Sequence, residues 1–265
     1  MNKNNVYVVG FPKSGNTWLA RIISGSIGAN IYSDVENDVI NRSDYKKSVK
    51  EKDIGIQRVH WIDAEEKEIL ASKIVYIIRD PRDSFISGFY HNYRMIHESN
   101  VKKSIILKLL FRWEIKNFNK SWNWSLSARL HTLKTFAKNI LRLKFKGIGV
   151  ENVGNWSDHV NFWTSFDNVC LVRYEDLLAN PESEVTRILN TIKIDYDINS
   201  VRNSIKNESF NKKKEEFLAS GDIDNFKFLR KGKSGDWRFI LDKKLSKLIQ
   251  EKHYLVMKKY NYINE

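Results

Sequence analysis

At 265 residues, with 42% hydrophobic and 29% charged content, the chain is long enough for one sizeable core and too apolar for wholesale disorder. Forty-five basic residues against 32 acidic ones give a formal charge of +13, which points to anionic partners. The lone cysteine, Cys170, excludes an internal disulfide, and no stretch approaches the roughly 18 apolar residues of a membrane span. The apolar part of MNKNNVYVVGF, at the start, is too short for a signal peptide. The expectation is a cytoplasmic protein with a single domain over residues 1–265.

The first element is an apolar β-branched run, NVYVVG (5–10), which reads as a buried strand. It breaks into FPKSGN and then into a helix-like stretch, TWLARIISGSIG. A weaker strand signal follows in GIQRVHW (55–61), then a clear one in KIVYII (73–78). After a long segment come the helix-like SDHVNFWTSF and a third clear strand, NVCLVRY (168–174). Strands that alternate with helices predict βαβ units, an α/β fold with a central, mostly parallel sheet of about five strands flanked by helices. Ligands of such sheets bind at the carboxyl ends of the strands. The polar clusters after Gly10, Ile78 and Val172 all fall at that edge.

Residues 100–150 or so read as a helical insertion, a candidate cap over the site. Between Lys102 and Lys146 stand twelve basic residues and one acidic residue, Glu114, so this segment carries most of the excess charge. Trp113, Trp122 and Trp124 cluster just beyond the apolar SIILKLLFRW (104–113). Leu126, Leu130, Leu133, Ala137, Ile140 and Leu141 follow helical spacing, with Lys134, Lys138 and Arg142 on an adjacent face. Two readings stand side by side: a helix packed on the domain with a solvated basic side, and a surface for an anionic acceptor or membrane interface.

The loop PKSGNTW has the composition of an anion cradle. Gly15 permits close backbone approach, and the following helix offers free N–H groups and the positive end of its dipole. Lys13 adds a mobile charge, and Ser14, Asn16 and Thr17 add side-chain donors. The loop of nucleoside triphosphatases places its lysine after the second glycine, whereas Lys13 precedes Gly15, so a kinase using ATP and magnesium is the weaker enzyme reading. A non-catalytic module that binds a membrane or another anion is a third. Nucleic acid is not expected, because the basic face comes without a recognisable motif.

Further motifs join this loop. GFPKSGNTWL resembles the 5′-phosphosulfate loop of the sulfotransferase family, whose common form is PKSGTTWL, and YIIRDPRDSFISGFYHNY resembles that family's 3′-phosphate segment. Arg79 and Ser87 are eight apart, as in the family. LVRYEDLLANPESEVTRIL, GNWSDHVNFW and FLRKGKSGDW (228–237) match further family segments in the right order, so the resemblance runs from Val8 to Trp237 and covers the insertion poorly. It implies a P-loop-like three-layer fold and a donor, 3′-phosphoadenosine 5′-phosphosulfate (PAPS), which leaves as adenosine 3′,5′-bisphosphate (PAP).

By this resemblance Lys13, Ser14, Gly15, Asn16 and Thr17 surround the 5′-phosphosulfate and Trp18 stacks on adenine. Arg79 and Ser87 hold the 3′-phosphate, with Arg230, Lys231 and Gly232 closing over it. Tyr174 lies near the adenine edge, and Phe210, in NESF, on the other adenine face. Lys13 also neutralises the leaving oxygen. The family's basic histidine sits in a K-T-H-L strand end; here QRVHWID takes its place, which makes His60 the candidate base, with Arg58 replacing the lysine. His91 and His159 are alternatives that read better as structural. No metal is implied. The acceptor stays open among carbohydrate, lipid, phenol and peptide tyrosine.

Overall fold

The computed structural model describes residues 5–32, 54–60, 72–88, 155–222, 229, 232–241 and 243–263. The insertion at about 100–150, His91, Arg230 and Lys231 lie outside the described residues.

Five strands form one sheet: β1 (Val6–Val9), β2 (Asn30–Tyr32), β3 (Gly55–Val59), β4 (Lys73–Ile78) and β5 (Val169–Arg173). Their order across the sheet is β2-β3-β1-β4-β5, and every neighbouring pair is parallel. Parallel strands buried on both faces need continuous apolar runs. VYVV and KIVYII supply them, and all four residues of β1 are buried. Pairing of Val8 with both Arg58 and Val75 makes β1 the central strand. The three residues of β2 extend the sheet beyond the strands legible in the sequence.

Side chains alternate across the sheet and build two cores. On one face, Val6, Val8, Ile56, Val75, Ile77 and Val172 pack against α1 (Asn16–Ile27), α5 (Pro181–Thr191) and α6 (Ile198–Asn207). The α1–α6 contact is close because Gly25 has no side chain: a Cβ there would lie 2.5 Å from Ser204 Oγ. That hydroxyl instead donates to the Ile22 carbonyl at 2.8 Å. On the other face, Tyr7, Val9, Ile74, Tyr76 and Ile78 meet Trp156, Val160 and Trp163 of α3 (Trp156–Trp163) and Val256 and Met257 of the C-terminal helix. The result is the three-layer α/β arrangement expected from the alternating elements.

The remaining described helices are short or peripheral. Helix α2 spans 81–88, α4 is Tyr174–Ala179, α7 is Phe210–Ala219 and α8 is Trp237–Ile240. The C-terminal α9 (Lys243–Lys259) is kinked at His253, whose Nδ1 lies 2.7 Å from Ser157 Oγ. Among the described residues no helix is long and apolar enough to cross a membrane.

His159 is a core residue, 0% exposed. Its Nε2–H donates to the His60 carbonyl at 3.1 Å, so Nδ1 accepts from Tyr76 Oη at 2.8 Å. Burial pushes its pKa down to about 3. An unfolded histidine takes a proton below about pH 6.5. Folding is therefore penalised as pH falls from 6.5 toward that lowered value, by up to about 1.4 kcal/mol per pH unit for this one group. Thermal melts of wild type and His159→Gln between pH 7 and 4.5 are expected to show a shallower acid loss of Tm, relative to its own pH 7 value, in the variant. Equal slopes would contradict a buried neutral imidazole.

Candidate active site

Each polar cluster leaves the sheet at the carboxyl edge. Gly10 follows β1, His60 follows β3, Arg79 follows β4 and Tyr174 follows β5. The chain passes from β1 outward to β2 and β3, then crosses to β4 on the other side, so β1 sits where the strand order reverses. That is where open α/β sheets form a crevice.

The loop 10–15 is shaped for an anion by its backbone. Lys13 has φ +70° and Gly15 has φ +108°, and the turn is closed by Ser14 N–H donating to the Phe11 carbonyl at 3.1 Å. Such left-handed turns direct N–H groups into a concavity. Helix α1 begins directly afterwards, with Gly15 as its N-cap, without a side-chain cap and without an acid in its first turn. Its first amides and its dipole are left for a ligand. Ser14 is 0% exposed, yet its Oγ has no partner among the described residues. A buried hydroxyl of this kind is a costly feature unless a ligand completes it.

Arg79 joins this loop to three other elements. Its Nη1 donates to the Lys13 carbonyl at 3.1 Å, and its Nη2 to the Lys233 carbonyl at 3.1 Å. The guanidinium carbon lies 4.1 Å from the centre of the Tyr174 ring. Trp156 Nε1 holds the Arg79 carbonyl from behind at 3.2 Å. A guanidinium carries its N–H donors on Nε, Nη1 and Nη2; the Arg79 Nε is buried without a partner among the described residues. A desolvated cation held by neutral carbonyls and a ring face is well placed to receive phosphate. Ser87, half-buried, lies two turns along α2.

Three aromatic side chains border the same edge. Trp18 and Tyr174 meet edge to face, with centroids 5.7 Å apart. Trp18 Nε1 donates to the Glu208 carbonyl at 3.0 Å, which ties α1 to the segment that carries Phe210. Glu208 itself pairs with Lys213 at 3.0 Å. Gly232, at φ +60°, lies against the Phe210 ring so closely that a Cβ would sit 2.5 Å from Cδ2. Phe210 and Gly232, 22 positions apart in the chain, are thus neighbours.

His60 is half-buried beside the loop. Its Nδ1–H donates to the Gly10 carbonyl at 2.7 Å, which leaves Nε2 as the basic nitrogen. Among the described residues Nε2 has no partner. Burial, with Arg58 and Lys13 nearby, pushes the imidazole pKa down to about 4, so it is neutral across the physiological range. Asn16, grouped in sequence with the anion donors, turns its amide the other way. Nδ2 donates to the Gly10 carbonyl at 3.2 Å and to the Val59 carbonyl at 3.4 Å. It braces the strand ends that carry the loop and His60. Arg58 Nη1 donates to Thr17 Oγ1 at 2.6 Å, so that hydroxyl is fixed by a cation at the adjacent strand end.

The sequence reading missed Asp83. It is 1% exposed and accepts N–H bonds from Gly235 and Trp237, two residues of a segment about 150 positions away. No local pattern signals such a pairing. Among the described residues no group of His, Cys, Asp and Glu could hold a metal ion.

Gly15 offers a direct test of the loop geometry. A Cβ at Gly15 would stand 2.8 Å from the Tyr174 ring, whereas at Gly28, also at positive φ, it would meet open space. Gly15→Ala is expected to lower Tm by several degrees more than Gly28→Ala, because both carry about 1 kcal/mol of backbone strain and only the first adds a clash. Equal losses in thermal melts would contradict the packing of this turn on Tyr174.

A family model described as "Sulfotransferase domain" matches residues 3–260. A 3-beta-hydroxysteroid sulfotransferase of Cavia porcellus is 24% identical over 251 residues, covering 87% of this chain and 75% of its own. An amine sulfotransferase of Oryctolagus cuniculus is 24% identical over 264 residues, covering 89% and 74%. Among solved structures, a mouse sulfotransferase complexed with PAP superposes with a TM-score of 0.66 at 22% identity, over 97% of this chain and 86% of that one. Retinol dehydratase in complex with androsterone and the inactive cofactor PAP gives a TM-score of 0.64 at 16% identity, over 97% and 82%. The structural likenesses speak for the fold; the sequence match runs nearly the length of the chain, which therefore belongs to the sulfotransferase family and is an enzyme of that class.

Proposed function

We propose that the crevice at the end of β1 takes PAPS, and that the enzyme passes its sulfuryl group to a hydroxyl or amine of a small acceptor and releases PAP. The observation that carries this reading is the join between Arg79 and the Lys13 carbonyl, 3.1 Å long, which puts two cation-bearing loops around one hollow. The buried, unpartnered Ser14 Oγ and Arg79 Nε fit an anionic ligand. Both neighbours named above were crystallised with PAP. Neither an ATP-dependent kinase nor a non-catalytic anion-binding module is favoured once a family model accounts for residues 3–260.

PAPS supplies a sulfuryl group already activated by its bond to phosphate. What remains for the protein is positioning and charge stabilisation. The amides of 13–17, with Ser14 and Thr17, hold the 5′ end; Lys13 meets the charge that develops on the departing oxygen. Arg79 and Ser87 hold the 3′-phosphate, and Arg230, Lys231 and Gly232 close over it. Trp18, Tyr174 and Phe210 enclose the adenine. His60 is the base: its Nδ1–H is fixed on Gly10, so Nε2 can take the acceptor proton as the new S–O bond forms. Asn16 serves this site from beneath, through the carbonyls of Gly10 and Val59.

The acceptor class rests on the relatives, which are named for hydroxysteroid and amine substrates. A cytoplasmic location agrees with a relative named as a cytosolic sulfotransferase, from Arabidopsis thaliana. The proposal treats 1–265 as one domain and gives the basic segment 102–146 to acceptor choice, or to an anionic membrane surface, on the strength of its charge alone.

The direct test is transfer of labelled sulfuryl from PAPS to a panel of steroid, phenol and amine acceptors. His60→Ala is expected to lower kcat about 10²- to 10⁴-fold while PAP binding stays within a few fold of wild type. Because the base acts deprotonated and its pKa is lowered to about 4, the acid limb of kcat should fall near pH 4 instead of near 6.5. Retained turnover in His60→Ala, or an acid limb near 6.5, would remove His60 from this role.

A further inference from the structure

Residues 232–237 carry the glycine that meets Phe210 and the carbonyl that meets Arg79. A buried carboxylate holds this segment against the carboxyl end of the sheet at two points. Asp83 Oδ2 accepts from Gly235 N–H at 2.5 Å, and Oδ1 from Trp237 N–H at 3.1 Å. Asp83 lies in the first turn of α2, four residues beyond Arg79, so one short stretch of chain at the end of β4 presents both groups. A neighbour in this turn adds a third hold: the Arg82 guanidinium carbon lies 3.6 Å from the centre of the Trp237 ring. Arg82 is itself fixed by Asp80 at 2.6 Å and by the Tyr262 carbonyl at 2.7 Å.

We propose that Asp83 is a positioning residue of the donor site, the clamp that seats residues 232–237 so that Arg79, Gly232 and Phe210 share one pocket. This rests on the donor reading given above. The chemistry is that of a carboxylate accepting two backbone amides, bonds stronger than those between neutral groups. Glycine at 235, with φ +83°, lets the first amide turn toward the carboxylate. Burial raises the Asp83 pKa; the two amides and the charge of Arg79 pull the other way and favour the carboxylate. Both Asp83 oxygens are taken by backbone amides, so its part is to hold the loop. Its loss leaves every donor-binding side chain in the chain but releases the loop that presents Gly232 and the Lys233 carbonyl.

The consequence is a split that mere instability would not give. Asp83→Asn keeps the shape and one acceptor, but its NH2 opposes the second amide; Asp83→Ala removes both acceptors. Weaker PAP binding is expected in that order, about 10-fold for Asn and about 100-fold for Ala. KM for PAPS should rise in parallel, with kcat at saturating donor within about threefold of wild type. Hydrogen exchange in the ligand-free protein should show Gly235 and Trp237 amides protected in wild type and faster in both variants. PAP titration of wild type comes first: no binding there overturns the donor reading, and the clamp's role with it. Normal wild-type binding, with variants unmoved in Kd and in exchange, overturns the clamp alone. So does a kcat that falls in step with Tm while KM for PAPS stays constant.

Discussion

The architecture of the site depends on one buried cation. Arg79 leaves the end of β4 and meets the Lys13 carbonyl, the Lys233 carbonyl and the Tyr174 ring. These contacts come from three separate stretches of chain, and none of them is a carboxylate ion pair. Burying a guanidinium among neutral carbonyls is costly, and the cost is offset when an anion arrives. Asp83, in the first turn of α2, feels the Arg79 charge, but both of its oxygens are engaged by amides. In the proposed reading, a phosphate would be the direct partner that completes this cation.

The histidines divide along a related physical line. His60 and His159 are both pushed far below the ordinary imidazole value by burial. His159 has both ring nitrogens occupied, by the His60 carbonyl and the Tyr76 hydroxyl, which makes it a structural strut. Among the described residues His60 has Nδ1 occupied, by Gly10, and Nε2 without a partner. The strut holds the His60 carbonyl, and so supports the imidazole proposed as the base. Asn16 reinforces the same point from α1, through the carbonyl of Gly10, just past β1, and that of Val59 at the end of β3.

Much of this was legible in the residues. Apolar β-branched runs mark β1, β4 and β5 to within a residue or two; the central β1 and β4 are buried on both faces, while the edge strand β5 alternates buried and half-buried residues. The anion loop declared itself by glycine, lysine and hydroxyls between a strand and a helix. Strand β2 was not legible: three residues are too few for a periodicity to register. Asn16 was grouped with the anion donors by its place in the loop, and only the fold reveals that its Nδ2 faces two carbonyls. Asp83 was silent for a different reason, since its partners are backbone amides that no side-chain pattern announces. Arg230 and Lys231 keep their role as an inference from resemblance, while the neighbouring Gly232 is seen packed on Phe210.

The central claim is that two anions of one adenosine ligand are gripped from opposite sides of β1, the 3′-phosphate by Arg79. The most direct measurement is calorimetric titration of wild type and Arg79→Ala with adenosine 3′,5′-bisphosphate and adenosine 5′-monophosphate. Wild type is expected to prefer the bisphosphate by about 100-fold or more, as a charge-assisted contact worth roughly 3 kcal/mol implies, and the variant to lose most of that preference. Equal affinity for the two nucleotides in wild type, or an undiminished preference in Arg79→Ala, would contradict the account.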